Sequence, residues 1–221
     1  MTGVVTILLA AGAGRRMGGP KALLAWPRFD AKGRVVVDRP LAIAHAEARL
    51  DAESAAVLIV TRKPLVAALL RYVRPGIDLL SSDAPDALGP AGSLAFAVSR
   101  LPPTNRVIVT PVDTIPVSAE TVARLCARLD AEPTLLAVRP SYEGHAGHPV
   151  VLRPDALDRY RAADPPPLRD HLRDLGDRAV VEEVDDPDVL VDLNTPVDAV
   201  SALARFGGPA TLGLIPRFLK S

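Results

Sequence analysis

Short continuous apolar runs alternate along this chain with longer segments whose apolar residues recur at helical spacing. The runs at 4–9, 56–61, 77–80, 106–110 and 134–138 predict strands. They lack polar alternation, as strands covered on both faces do, so they imply a mainly parallel sheet packed between helices. A helix is expected over 40–50, where Leu41, Ala44 and Ala48 supply one apolar face, and another over 91–101, stopped by Pro102 and Pro103. Ser118 reads as the N-cap of a helix reaching about Asp130, with Val122, Leu125, Cys126 and Leu129 on one side. Thr195, Pro196 and Asp198 supply an N-cap, an N1 proline and a first-turn acid for a last helix. Two segments resist the alternation: 27–38, centred on Gly33, predicts a short hairpin, and 162–167, with three prolines, a loop. The expected class is α/β, with three α/β/α layers and a Rossmann-like, mainly parallel sheet.

Composition narrows the partners. The 221 residues carry 26 basic and 26 acidic side chains, so net charge gives no reason for general affinity to nucleic acid or an anionic membrane, and phosphate binding must be local. Only Lys21, Lys32, Lys63 and Lys220 are lysines, which makes a lysine inside a motif informative. No apolar stretch reaches the roughly 20 residues of a membrane span. The apolar run after Val4 lacks a basic flank and is interrupted at Gly12 and Gly14, as a buried strand would be and a signal peptide would not. Cys126 can form no internal disulfide and reads as core. Together these favour a cytoplasmic protein.

The segment VVTILLAAGAGRRMGGPKALL, from Val4 to Leu24, runs a buried strand into a loop with glycines at 12, 14, 18 and 19 and cations at Arg15, Arg16 and Lys21. Glycines allow positive φ and close backbone approach, so successive amides can face phosphate oxygens while the cations neutralise them. The dinucleotide-binding loop is a poor match, because Gly18, Gly19 and Pro20 break the helix it needs. The P-loop also fails, since Lys21 follows proline and precedes alanine. Further on, VIVTPVDTIP sets Asp113 after an apolar strand, where ligands sit in open α/β sheets and a carboxylate can hold magnesium.

LLAAGAGRRMGGPK closely resembles the L-A-A/G-G-x-x-x-R-M-G-x-x-K signature of the MobA/MocA-like nucleotidyltransferases, relatives of molybdenum cofactor guanylyltransferase and cytidylyltransferase. The resemblance runs from Val4 to about Leu203. It implies a sheet of the nucleotide-diphospho-sugar transferase (GT-A-like) type, base contacts from Leu9, Ala10, Ala11 and Gly12, a place for Gly14 in the loop, and phosphate contacts from Arg16 and Lys21. The P-V-D-T-I-P segment assigns the metal-binding aspartate to Asp113, making Arg16, Lys21 and Asp113 the catalytic set. VLVDLNTPVDAV resembles the family's closing segment and offers Asn194 as second ligand, with Asp192 as its competitor. Asp83 matches an aspartate that precedes a G-P-x-x-G nucleotide loop, here Gly89 to Ser93 with Gly92 within it and one residue shorter. Gly147, His148 and Pro149 resemble the family's G-H-P segment, which precedes a strand on the acceptor side.

The resemblance thus implies a Mg2+-dependent enzyme that transfers a nucleoside monophosphate from CTP or GTP to a small acceptor, such as molybdopterin or a sugar phosphate, releasing pyrophosphate. Rival readings are a nucleotide-sugar-dependent glycosyltransferase and a noncatalytic nucleotide-binding module. The expected division is one NTP transferase domain over 1–206 and a tail over 207–221. The tail either packs on the domain or joins copies into a homo-oligomer.

Overall fold

A computed structural model describes residues 3–30, 32–52, 54–82, 89–207 and 218–219. In chain order the elements are strands β1 (Val4–Leu9), β2 (Ala25–Phe29) and β3 (Val35–Pro40), helix α1 (Leu41–Ala52), β4 (Ser54–Arg62), α2 (Lys63–Leu70), β5 (Ile77–Ser82) and α3 (Gly89–Val98). Then come β6 (Arg106–Pro111), α4 (Ala119–Ala131), β7 (Ala137–Tyr142), β8 (His145–Ala146), β9 (Val150–Leu152), α5 (Leu168–Asp174), β10 (Ala179–Glu183) and α6 (Pro196–Gly207).

The main sheet has the order β10-β7-β9-β6-β1-β4-β5, with β8 attached to β7. β1 is parallel to both β4 and β6, β5 is parallel to β4 and β10 to β7, while β9 is antiparallel to β6 and β7. The chain leaves β1 toward β4 and β5, then returns to β6 on its other side. That reversal opens a crevice at the carboxyl ends of β1 and β6, where open α/β sheets bind ligands.

Side-chain alternation sets the three layers. Val5 and Ile7 of β1 pack with Leu94, Ala97 and Val98 of α3, whereas Leu8 packs with the faces of α1 and α2. Ile108, from β6, meets Val122, Leu125 and Leu129 of α4. Ile7, Leu8 and Ile108 are fully buried, and each such side chain contributes about 1.5–3 kcal/mol over an exposed one.

Helix starts follow the side-chain chemistry. Ser118 Oγ accepts from the Thr121 amide at 3.1 Å, capping α4. At α6 Thr195 Oγ1 accepts the Asp198 amide while Asp198 Oδ2 accepts those of Asn194 and Thr195, a reciprocal cap. The 27–38 segment is the expected hairpin: β2 and β3 pair antiparallel around Gly33 at φ 72°, and Arg28 clasps Asp38 across it.

Several expectations shift. The strand expected over 134–138 begins at Ala137 and runs through Pro140 to Tyr142; 134–136 instead approaches it through a turn in which the Leu135 amide bonds Glu132 O. The strand over 77–80 continues to Ser82, paired with β4 along its length. The helix over 91–101 starts at Gly89 and ends at Val98, so Gly89 to Ser93 is the first turn of α3 rather than a loop; Pro90 fits there because early helix amides need no intrahelical partner. The helix over 40–50 runs from Leu41 to Ala52. β9 is the strand expected after Gly147, His148 and Pro149, whereas β8 and β10 match no expected strand.

Candidate active site

The loop leaving β1 is shaped by its glycines. Gly14 has φ 63° and Gly18 φ 85°, both in the left-handed region that side chains disfavour. The amides of Met17 and Gly19 return to Gly14 O at 2.9 and 3.2 Å, closing the loop on itself. A Cβ on Gly14 would lie 1.8 Å from Gly19 O, so no other residue fits this closure. Met17 is buried and anchors the loop from beneath, leaving Arg15 and Arg16 exposed.

Lys21 opens a short 3-10 turn, Lys21–Leu23, and reaches back across the crevice. Its Nζ lies 3.1 Å from Asp113 Oδ2 and 3.3 Å from Asn194 Oδ1. Residues 92 and 173 positions away in the chain thus meet at one ammonium, which keeps only 13% of its side-chain exposure while the Asp113 side chain keeps 39%. The Asp113 side chain therefore stays partly exposed beside the ammonium.

Asp113 stands in a braced turn. Its carbonyl accepts the Leu193 amide, and Thr114 pairs with Asp192 in an antiparallel bridge, which carries Asn194 to the site. From α1, His45 Nε2 donates to Thr114 O at 2.9 Å and Arg49 donates to Val117 O. Burial pushes His45 down to about 4, opposed by its bond to the Thr114 carbonyl and assisted by nearby Arg49, so the ring is neutral at pH 7. His45 and Arg49 were missed in the sequence, where they read only as polar members of an apolar helix.

One cleft of about 410 Å³ gathers Leu9, Ala11, Gly12, Gly14, Arg15, Arg16, Lys21, Asp113 and Asn194 with Gly89, Pro90, Ser93, Pro111 and Val112. Most of the expected nucleotide residues therefore share one wall-lined space. α3 aims its first turn into this cleft, where free amides and the helix dipole favour an anion. Ser93 belongs to the same turn and was not singled out as a ligand residue. Ala10 does not line the cleft: it is fully buried, with its amide on Val60 O at 2.8 Å. Gly92 also lies outside the lining, since the helical turn presents Gly89, Pro90 and Ser93 instead. Asp83 falls outside the described residues.

Asp192 and His148 form a neighbouring electrostatic group, not part of the cleft lining. Burial and then the Asp113 charge raise Asp192 above the usual carboxylate range, while His148 and Lys21 pull it down. Burial lowers His148, opposed by Asp192 and Asp113, and its buried Nδ1 has no hydrogen-bond partner among the described residues. Gly147 is required there, because a Cβ would come within 2.1 Å of Val189 O.

The donor set suits a hard divalent cation. A carboxylate and a carboxamide oxygen already converge on one positive charge, with open cleft beside them for phosphate oxygens, and magnesium is commonly held by one or two carboxylates plus substrate. Among the described residues no cluster of three or more His, Cys, Asp or Glu side chains could hold a metal ion. No helix among the described residues is long and apolar enough to cross a membrane.

A family model described as MobA-like NTP transferase domain matches residues 6–186. Molybdenum cofactor guanylyltransferase of Shewanella pealeana is 29% identical over 207 residues, covering 87% of this chain and 90% of that protein. Among solved structures, the Mycobacterium sp. strain JC1 homologue of Mycobacterium tuberculosis Rv0371c superposes with a TM-score of 0.72 at 23% identity, over 92% of this chain and 96% of its own. The Mycobacterium tuberculosis Rv0371c protein in complex with manganese gives 0.68 at 19%, over 90% and 96%. Both share the nucleotide-diphospho-sugar transferase fold.

Proposed function

The chain belongs to the MobA-like NTP transferase domain family and is a nucleotidyltransferase, and from that premise we propose that it moves a nucleoside monophosphate from GTP or CTP to a small phosphorylated acceptor in a magnesium-dependent reaction. The convergence of Lys21, Asp113 and Asn194 at the mouth of the glycine loop carries this reading. The guanylyltransferase relatives favour GTP as donor, with molybdopterin or a sugar phosphate as the acceptor class.

In this reading an acceptor phosphate oxygen attacks the α-phosphorus in line, a new P–O bond forms, and the bond to the β-phosphate breaks to release pyrophosphate. The acceptor oxygen is already ionised, so no general base is required. Asp113 and Asn194 would hold magnesium, with Asp192 as a nearby alternative, and the ion would supply charge neutralisation at the α-phosphate. Lys21 neutralises Asp113 in the free protein and turns to the β- and γ-phosphates of the nucleotide. Arg15 and Arg16, exposed on the loop, meet the same phosphates, while Leu9, Ala11 and Gly12 face the base. His148, beside the cleft, contacts the acceptor. Positioning and preorganised charge supply the catalysis, with little covalent work by the protein.

Phosphorus NMR of a mixture of protein, magnesium, each NTP and candidate acceptors tests this. Pyrophosphate and a nucleoside-diphosphate-linked product are expected with GTP or CTP. Nucleoside diphosphate released from a nucleotide sugar would instead establish glycosyl transfer, and binding without any product across the acceptors would leave a nucleotide-binding module.

A further inference from the structure

Residues 218–219 pack beside the phosphate loop. Phe218 pairs with Leu24 in an antiparallel bridge, and the Leu219 amide donates to Leu23 O at 2.9 Å. Leu23 closes the Lys21–Leu23 turn through its own amide on Pro20 O, and Leu24 O receives the Leu41 amide at the start of α1. The turn that carries Lys21 is thus gripped from one side by α1 and from the other by residues 218–219. Neither grip is local in sequence.

The Phe218 ring also covers the glycine loop. It is half-buried against the core that includes Met17, Ala22 and Leu24. A Cβ on Gly19 would lie 2.9 Å from its Cδ2 and Cε2 atoms, so the ring sits where only glycine leaves room. Gly19 is the residue whose amide closes the loop on Gly14. Phe218 therefore backs the closure from outside while ligand-facing residues line the inside. A loop with four glycines has much conformational entropy to lose on binding, and a contact that removes part of it beforehand strengthens ligand capture without touching the ligand.

We propose that Phe218 is a positioning residue for nucleotide binding: residues 218–219 strap the phosphate loop closed through the Gly19–Phe218 contact and hold Lys21 at its post. This gives residues 218–219 a role in the site, and it rests on the reading of the loop as the triphosphate-binding element. The strap acts on the triphosphate end of the ligand because its contacts fall on Gly19, Leu23 and Leu24, which flank Lys21.

A double-mutant cycle tests it on the full-length protein, with affinities for GTP and GMP (or CTP and CMP) measured by titration. Phe218→Ala is expected to weaken triphosphate binding about 5- to 10-fold and monophosphate binding less than twofold, with Phe218→Leu intermediate. Gly19→Ala should weaken the triphosphate likewise, because its methyl pushes the ring away. In the Gly19→Ala/Phe218→Ala protein the methyl has room, so the two losses should fall short of additive. If Phe218→Ala does not fold, Gly19→Ala and Phe218→Leu carry the comparison. Wild-type discrimination between triphosphate and monophosphate in Phe218→Ala and Phe218→Leu overturns the proposal whatever their melting temperatures, and so does full additivity in the cycle. Lys21→Ala, measured alongside, separates the two levels. If it loses triphosphate preference while the Phe218 variants keep theirs, only the strap is wrong; if it too keeps the preference, the reading of the loop fails.

Discussion

The loop after β1 and the turn after β6 leave neighbouring strands at the same end of the sheet, but the first takes its shape from glycines and the second from braces. Within the loop the hydrogen bonds run between Gly14, Arg15, Met17, Gly18 and Gly19, all inside six residues. The turn at Asp113 is tied instead to Leu193, Asp192, His45 and Arg49, each far away in sequence. A glycine loop can close around phosphates of varied position, while a braced turn presents one carboxylate in one place. In the proposed reaction the nucleotide would thus meet a wall shaped by glycines and a fixed charge, the division that a phosphoryl-transfer site needs if electrostatic preorganisation is to act on the reacting atoms.

The sharpest way to break this contrast is Gly14→Ala. The new Cβ would collide with Gly19 O and would sit at a left-handed φ, so the loop cannot keep its closure. Triphosphate affinity should fall by about 100-fold, or about 2.7 kcal/mol, in a titration, with the melting temperature changed by only a few degrees. Gly12→Ala, with nothing within 4 Å of its Cβ, should keep the loop's fold and serves as the comparison. Equal affinities in the Gly14→Ala and wild-type proteins would show that loop shape is immaterial.

A smaller effect is expected on the braced side, where it appears as stability against pH. Native His45 is held down to about 4 against an ordinary 6.5, so between these values the unfolded chain binds a proton that the native protein refuses. The contribution is fully present above pH 6.5 and is lost as pH falls toward 4. Acidification from pH 7 to 5 should cost about 2 kcal/mol through this group. Urea unfolding at the two pH values should show a shallower loss in His45→Gln than in wild type, though the variant begins less stable. Parallel losses would remove His45 from the account.

The sequence exposed the loop more readily than the braces, for a physical reason. Gly12, Gly14, Arg16 and Lys21 lie within ten residues, so local spacing encodes the loop and its chemistry, and the buried run of β1 with the caps at Ser118 and Thr195 is local in the same sense. His45 acts on Thr114 from 69 residues away, and Phe218 on Gly19 from the far end of the chain; a helix-spaced histidine or a terminal phenylalanine carries no sign of its partner. β7 lies beyond the expected 134–138 because Pro140 interrupts what would otherwise read as a strand. Asp113 stood out by its strand-end position. That Lys21 lies between it and Asn194 could be known only from the folded chain.

The claim that matters most is that Asp113 holds the divalent cation shared with the nucleotide. The direct measurement is the affinity for GTP, or CTP, with excess magnesium and again in chelator, for wild type and for Asp113→Asn, which keeps the side chain's shape and removes its charge. Wild type should bind the triphosphate at least about tenfold, or 1.4 kcal/mol, more tightly with the metal. Asp113→Asn should lose most of that gain while melting close to wild type, because Lys21 and the braces of the turn remain. A variant that retains the full wild-type metal dependence would contradict the account, placing the cation elsewhere and leaving Asp113 as the partner of Lys21 alone.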